Sequence, residues 1–162
     1  MRPRSRAPLS LEIVVESPLW KVKRNAKGIL QQAVAAASAA CKAKGELCIV
    51  LTDDAAIRNL NRTWRGLDEP TNVLSFPAGN TAAGERILGD IVIAYETTAR
   101  EALAESKPFP HHLSHLAVHG FLHLLGYDHG TDDEAEAMER LERAILARLD
   151  VPDPYAERAT GS

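Results

Sequence analysis

Cysteine is scarce in this chain: only Cys41 and Cys48 occur, at a separation that matches neither a zinc knuckle nor a redox C-x-x-C pair. A disulfide framework is not implied, and the expectation is two reduced, largely buried thiols in a reducing compartment. No apolar run approaches the roughly 20 residues that a membrane span needs. The N-terminus, MRPRSRAPLSLEIVVE, is basic and then apolar, but Glu12 breaks the apolar part and no small-residue cleavage site follows. Neither a signal peptide nor a membrane anchor is therefore expected, and the expected location is cytoplasmic. Repeats, low-complexity tracts and interdomain linkers are missing as well. Aromatics make up only 5% of the residues, so aliphatics supply most of the 45% hydrophobic content. With 25% charged residues, this is the composition of an ordinary globular protein.

A length of 162 residues suits one domain, with enough core to fold without a disulfide or a metal. Residues 1–8 read as a disordered basic tail and residues 9–149 as the single domain. Residues 150–162, DVPDPYAERATGS, read as a frayed C-terminal tail. The net charge of −3 argues against a general nucleic-acid coat, but the charges are unevenly spread. Residues 1–65 hold 12 Lys/Arg against 5 Asp/Glu, a balance of +7, whereas residues 66–162 hold 7 against 17, a balance of −10. Such polarity lets one face attract a polyanion while the whole chain stays acidic; the alternative is a solvated surface that is merely uneven.

Hydrophobic periodicity sets the expected elements. LEIVVES, 11–17, alternates around β-branched residues and predicts a strand. Apolar residues at 22, 26, 29/30, 33, 37 and 40/41 predict a helix that Gly45 stops. ELCIVLT, 46–52, predicts a more buried strand, followed by a short helix capped by Thr52 or Asp53 and carrying Ile57, Leu60 and Trp64. A polar stretch from Arg65 to Thr71 leads into the strand NVLSF, 72–76. A Gly/Asn-rich loop then precedes ILGDIVIA, 87–94, a fourth strand. Helices are predicted over 96–106 and 111–125, and Thr131 to Glu134 fits a capping box that opens a last one. The order implies an α+β domain, a small four-stranded mixed sheet packed by helices.

Five of the six histidines lie within 111–123, and the sixth is His129. On a helix His119 and His123 share one face, one turn apart. Gly126 suits the left-handed residue that ends a helix, so the chain can double back and bring His129 to the same point. Three imidazoles on one ion leave a fourth tetrahedral position open, which is how catalytic zinc is held. One zinc per chain on His119, His123 and His129 is the expected cofactor, on a zincin-like metal helix. The spacing follows the metzincin signature H-E-x-x-H-x-x-G-x-x-H at every His and at the Gly, but Gly120 stands where the general base Glu would be. Peptide hydrolysis by that route is thereby disfavoured. His115 lies about 12 Å of helix rise from His123 and cannot share the ion with both others. It is expected beside the ligands, facing substrate, or as a satisfied core histidine. His111 and His112 are expected at the surface near a helix start.

These residues carry a family likeness. HGFLHLLGYDH closely resembles the HGxLHLxGYDH signature of the YbeY family of bacterial zinc-dependent endoribonucleases. LNRTWRGLDEPTNVLSF, 60–76, and LGDIVIA, 88–94, fit two further blocks in the family's order. Asn72 departs from the Asp that many members have there, so no acid role is assigned to it. The resemblance implies cleavage of single-stranded RNA, maturation of the 16S rRNA 3′ end and quality control of ribosomes. The implied partners are RNA and the small ribosomal subunit with its proteins. Arg65 matches the family's arginine, and with His119 it is the candidate catalytic residue.

The chemistry is consistent with that reading. Zinc can polarise a phosphoryl oxygen or lower the pKa of its bound water to about 7. Arg65, always charged and planar, suits a phosphate; otherwise it is an ordinary surface arginine beside a turn. Ser75 either bonds a phosphate or is a packed strand hydroxyl. Asp90, inside an apolar strand, needs a partner if buried, and either orients a ligand histidine or braces the sheet. Asp128 stands between supporting His129 and facing solvent. Two rival functions remain: a non-catalytic ribosome-assembly protein whose metal only pins the fold, and a metallopeptidase weakened by Gly120.

Overall fold

The sheet is built from β1 (Leu9–Val15), β2 (Gly45–Thr52), β3 (Val73–Pro77) and β4 (Ile87–Ala94), in the spatial order β1-β2-β4-β3. The first three in space are parallel, and β3 closes one edge by pairing antiparallel to β4. A computed structural model describes residues 9–78 and 87–156. The expected basic tail at 1–8, most of the Gly/Asn-rich loop and residues 157–162 lie outside them. Among the described residues five α-helices complete the α+β fold: α1 (Ala26–Cys41), α2 (Asp54–Arg65), α3 (Tyr95–Ala104), α4 (Phe109–Leu124) and α5 (Asp132–Arg148). No helix among the described residues is long and apolar enough to cross a membrane.

One sheet face carries the main core. Leu47, Ile49 and Leu51 of β2 and Ile91 and Ile93 of β4 point at Leu30, Ala33 and Ala37 of α1 and at Leu113, Ala117 and Phe121 of α4. Each such aliphatic side chain, fully buried, contributes about 1.5–3 kcal/mol. Met138, Ile145 and Leu146 hold α5 to the same core. The other face is only half covered: Ile57 of α2 packs on Leu74, Val92 and Ala94.

Local differences from the sequence reading have local causes. Ser17 caps a 3-10 turn over Pro18–Val22 that buries Trp20, so the first long helix starts at Ala26 rather than Val22. Lys42, not Gly45, takes the left-handed position that ends it; Gly45 instead begins β2 with a φ of 131°. Trp64 does not join the apolar stripe of α2 and is 67% exposed, touching only the edge of Phe76 among the ring contacts described. Asp90 is exposed on the half-covered face, because Ile91 and Ile93 take the inward positions of β4. Without burial it needs no partner.

The C-terminal expectation is corrected as well. Asp150 adopts a φ of 60° and turns the chain back on α5, Val151 is buried, and its N–H donates to Leu146 O at 3.0 Å. Residues 150–155 are therefore packed against the domain.

Candidate metal centre and its cleft

α4 starts behind Pro108, carries Pro110 in its first turn, where a missing N–H does no harm, and runs buried beneath the sheet. His119 and His123 leave its outer face one turn apart. The helix stops because Gly126, with φ 102°, lets the Gly126 N–H reach His123 O and the Tyr127 N–H reach Leu122 O. The chain then swings back, and a hydrogen bond from the His129 N–H to Asp128 Oδ1, 2.8 Å, shapes the turn. The Thr131–Glu134 capping box starts α5 immediately afterwards.

The result is convergence of three imidazoles. His119 Nε2 and His123 Nε2 are 3.1 Å apart, and the His129 ring centroid lies 5.7 Å and 5.1 Å from theirs. Potential ligand atoms of all three lie within 4.8 Å of one another. Two nitrogens each 2.0–2.1 Å from one tetrahedral ion would be about 3.3 Å apart, so the observed spacing fits a shared ion. Burial, then the neighbouring His119 and His129, push His123 below the ordinary imidazole range, which favours the neutral ring that a metal requires. An all-nitrogen set of three suits zinc.

Glu142 is the residue that sequence reasoning missed. It is fully buried on α5, and its Oε2 accepts a hydrogen bond from His119 Nδ1, directing Nε2 toward His123. Burial works to raise its carboxyl, but His115, 3.7 Å away, and hydrogen bonds from His119 and Tyr155 overcome this and lower it to about 2. A signal existed: position 142 falls on the apolar stripe of α5, between Met138 and Ile145, where a carboxylate must have a partner.

A cleft of about 480 Å³ opens beside the imidazoles, walled by Arg65, Asn72, Ser75, Pro77, Tyr127 and Asp128 among others. Arg65 is its one Lys or Arg among the described residues. It ends α2 rather than sitting in a loop, and its Nη2 donates to Ser75 O across the free edge of β3 at 3.1 Å. The same guanidinium lies 5.9 Å from the Phe76 ring centroid.

Other expected site residues are placed differently. The Ser75 hydroxyl is buried and donates to Gly120 O at 3.2 Å, so it ties β3 to α4. His115 faces Tyr155, with its Nε2 3.2 Å from the hydroxyl, and lines an adjoining 390 Å³ cavity rather than the cleft. Asp128 is exposed and bonds backbone, not an imidazole. Asp90 is absent from the cleft wall. His112, expected at the surface, is buried with its Nε2 2.8 Å from Glu101 Oε1. Asn72 Nδ2 donates to the same oxygen at 2.9 Å, while Asn72 Oδ1 accepts from the Val73 N–H. The amide is thus engaged in holding the start of β3.

The likeness to known proteins covers these walls. The model of the family described as Endoribonuclease YbeY matches residues 14–150. An Endoribonuclease YbeY of Rhodopseudomonas palustris (strain BisA53) is 56% identical, over 93% of this chain and 92% of its own. One of Nitrobacter winogradskyi is 57% identical, over 97% and 88%. The solution structure of TM1509 from Thermotoga maritima superposes with a TM-score of 0.53 at 24% identity, covering 94% of this chain and 99% of that one, which shows the shared fold. The family match takes in α2 with Arg65, β3, and the helix and turn that gather the three histidines, and so the chain belongs to the YbeY endoribonuclease family.

Proposed function

We propose that this protein is a zinc-dependent endoribonuclease that cuts single-stranded RNA, acting on the 3′ end of 16S rRNA and in ribosome quality control in the cytoplasm. The observation that carries this reading is the shared cleft: three convergent imidazoles at one end and, among the described residues, a single anchored guanidinium in the wall. His119, His123 and His129 would hold the zinc, which when bound supplies a Lewis acid for a phosphoryl oxygen or for water.

This chain's own groups do the rest. Arg65 is fixed by its bond to Ser75 O, so its remaining N–H donors are pre-aimed and little side-chain freedom is lost when a phosphate binds. A fixed cation beside a phosphodiester stabilises charge that grows in the transition state. The small ribosomal subunit and its proteins are the proposed partners.

The peptidase alternative loses further ground at Gly120. A side chain there would meet Ile91 and the Ser75 hydroxyl, so the position has no room for a glutamate base. The decisive experiment is metal analysis of the purified protein coupled to cleavage of a labelled single-stranded RNA, with and without a chelator. About one zinc per chain and chelator-sensitive cutting are expected. Cutting that persists in metal-free protein would reject the reading.

A further inference from the structure

Residues 150–155 pack back on α5 in a way that a passive tail does not require. Asp153 accepts the Tyr155 N–H at 2.8 Å in a tight turn, Pro152 and Pro154 limit the backbone on either side, and Asp153 Oδ2 lies 3.9 Å from Arg143 Nε. This geometry delivers the Tyr155 hydroxyl to Oε1 of Glu142, to which it donates a hydrogen bond. The other oxygen of that carboxylate receives His119 Nδ1.

The chain of contacts therefore runs from the C-terminal segment through one buried carboxylate to a candidate ligand. Glu142 has no solvent to stabilise its charge, so its donors determine where its oxygens point. An imidazole that gives its Nδ1 proton to a fixed carboxylate keeps its Nε2 lone pair free and its ring plane locked. His115, His119 and Glu142 are also close enough to suggest a second cation, but His119 and Tyr155 already use one oxygen each of the carboxylate.

We infer that Glu142 and Tyr155 are positioning residues of the metal centre, with the C-terminal segment holding His119 in the orientation that binds zinc. This rests on the zinc reading of the three histidines. It differs from a purely structural role in what it predicts for metal affinity, because packing alone would stabilise the fold without changing how tightly folded protein holds an ion.

The test uses the full chain as wild type, Glu142→Gln and Tyr155→Phe. Zinc affinity is measured by competition with a chromophoric chelator, the visible spectrum of cobalt-loaded protein is recorded, and the metal-free proteins are melted. Glu142→Gln is expected to weaken zinc binding about 10- to 100-fold, as loss of such a carboxylate partner does. Tyr155→Phe removes one hydroxyl with no change of packing volume, keeps the measurement possible if the Gln variant fails to fold, and is expected to cost about three- to tenfold. Both should alter the cobalt spectrum. Unchanged zinc affinity and spectrum in folded Tyr155→Phe, with only a lower melting temperature, would overturn the inference while leaving the zinc reading intact. Failure of the wild type itself to bind zinc would overturn both.

Discussion

Replacing Gly120 by alanine should destabilise this protein, although alanine is the better helix former. The residue sits in α4 between His119 and His123, with its missing Cβ pointed at the sheet. A Cβ built there would lie 3.0 Å from Ile91 Cγ2, 3.1 Å from Ser75 Oγ and 3.3 Å from Ile91 Cδ1. Ile91 is fully buried, and the Ser75 hydroxyl is held by Gly120 O, so neither can swing away freely. Overpacking of this kind costs about 1–3 kcal/mol. The gain in helix propensity returns about 0.8–1.0 kcal/mol. The net expectation is a loss of roughly 1 kcal/mol, up to about 2 kcal/mol, which in a domain of this size lowers Tm by about 2–4 °C per kcal/mol. Gly28 is the control: it is also helical, in α1, but a Cβ there meets nothing within 4 Å. Gly28→Ala should therefore gain a few tenths to about 1 kcal/mol. Urea and thermal unfolding of the metal-free proteins measure both. A Gly120→Ala protein as stable as the wild type would show that α4 does not press on the sheet as described, and would remove the steric account of why this helix lacks the peptidase glutamate.

Other expected outcomes follow from the same contacts. Arg65→Ala should lower RNA cleavage on the order of a hundredfold or more with zinc content kept, and Arg65→Lys should restore only part; equal activity per folded molecule would return Arg65 to the scaffold. His119→Ala, His123→Ala and His129→Ala should each lose zinc by metal analysis, whereas His115→Ala should keep it, and full occupancy in His129→Ala would show a misassigned ligand. Burial raises the Glu101 carboxyl, but hydrogen bonds from His112 and Asn72 outweigh it and leave it below its ordinary range. A depressed carboxyl contributes stability above its unfolded pKa of about 4.3 and loses it as the pH falls through the folded value. Unfolding midpoints of metal-free Glu101→Gln should therefore drop less on acidification than those of the wild type, and parallel curves would refute the assignment.

Much of this was legible in the sequence because it is local. Apolar, β-branched runs placed β2 to within one residue and β4 over its whole length, while β1 begins and ends two residues earlier than its alternation predicts, and the spacing of His119, His123, Gly126 and His129 contained the turn that gathers them. What escaped was set by distance along the chain. The role of Glu142 depends on α5 packing across α4, and that of Tyr155 on a reversal at Asp150; neither leaves a periodic trace. Whether Asp90 is buried could not be read from an apolar strand, because that depends on how much of the outer sheet face α2 covers, and Asp90 proves exposed. Trp64 was misread for the same reason, since a helix at the margin of a sheet leaves part of its apolar side unmatched. The basic N-terminal half also proved broader than the site. Lys23 lies over the Phe109 ring at 4.5 Å, at the start of α4, and of the described residues up to position 65 only Arg65 lines the cleft.

The strand order has a consequence for the sequence of events during synthesis. β3 is made before β4, yet β4 lies between β3 and the rest of the sheet. A growing chain therefore presents Arg65 and Ser75 on a segment with nothing to pair with until β4 has emerged and inserted. The imidazoles come later with α4 and the turn after it, and Tyr155 reaches Glu142 last. At about 5–20 residues per second, the stretch from Arg65 to Tyr155 takes roughly 5–20 s to appear. Until His129 has emerged, a nascent copy carries the arginine without the full set of imidazoles that share its cleft, and the contact of Tyr155 with Glu142 forms only once the C-terminal turn has been made.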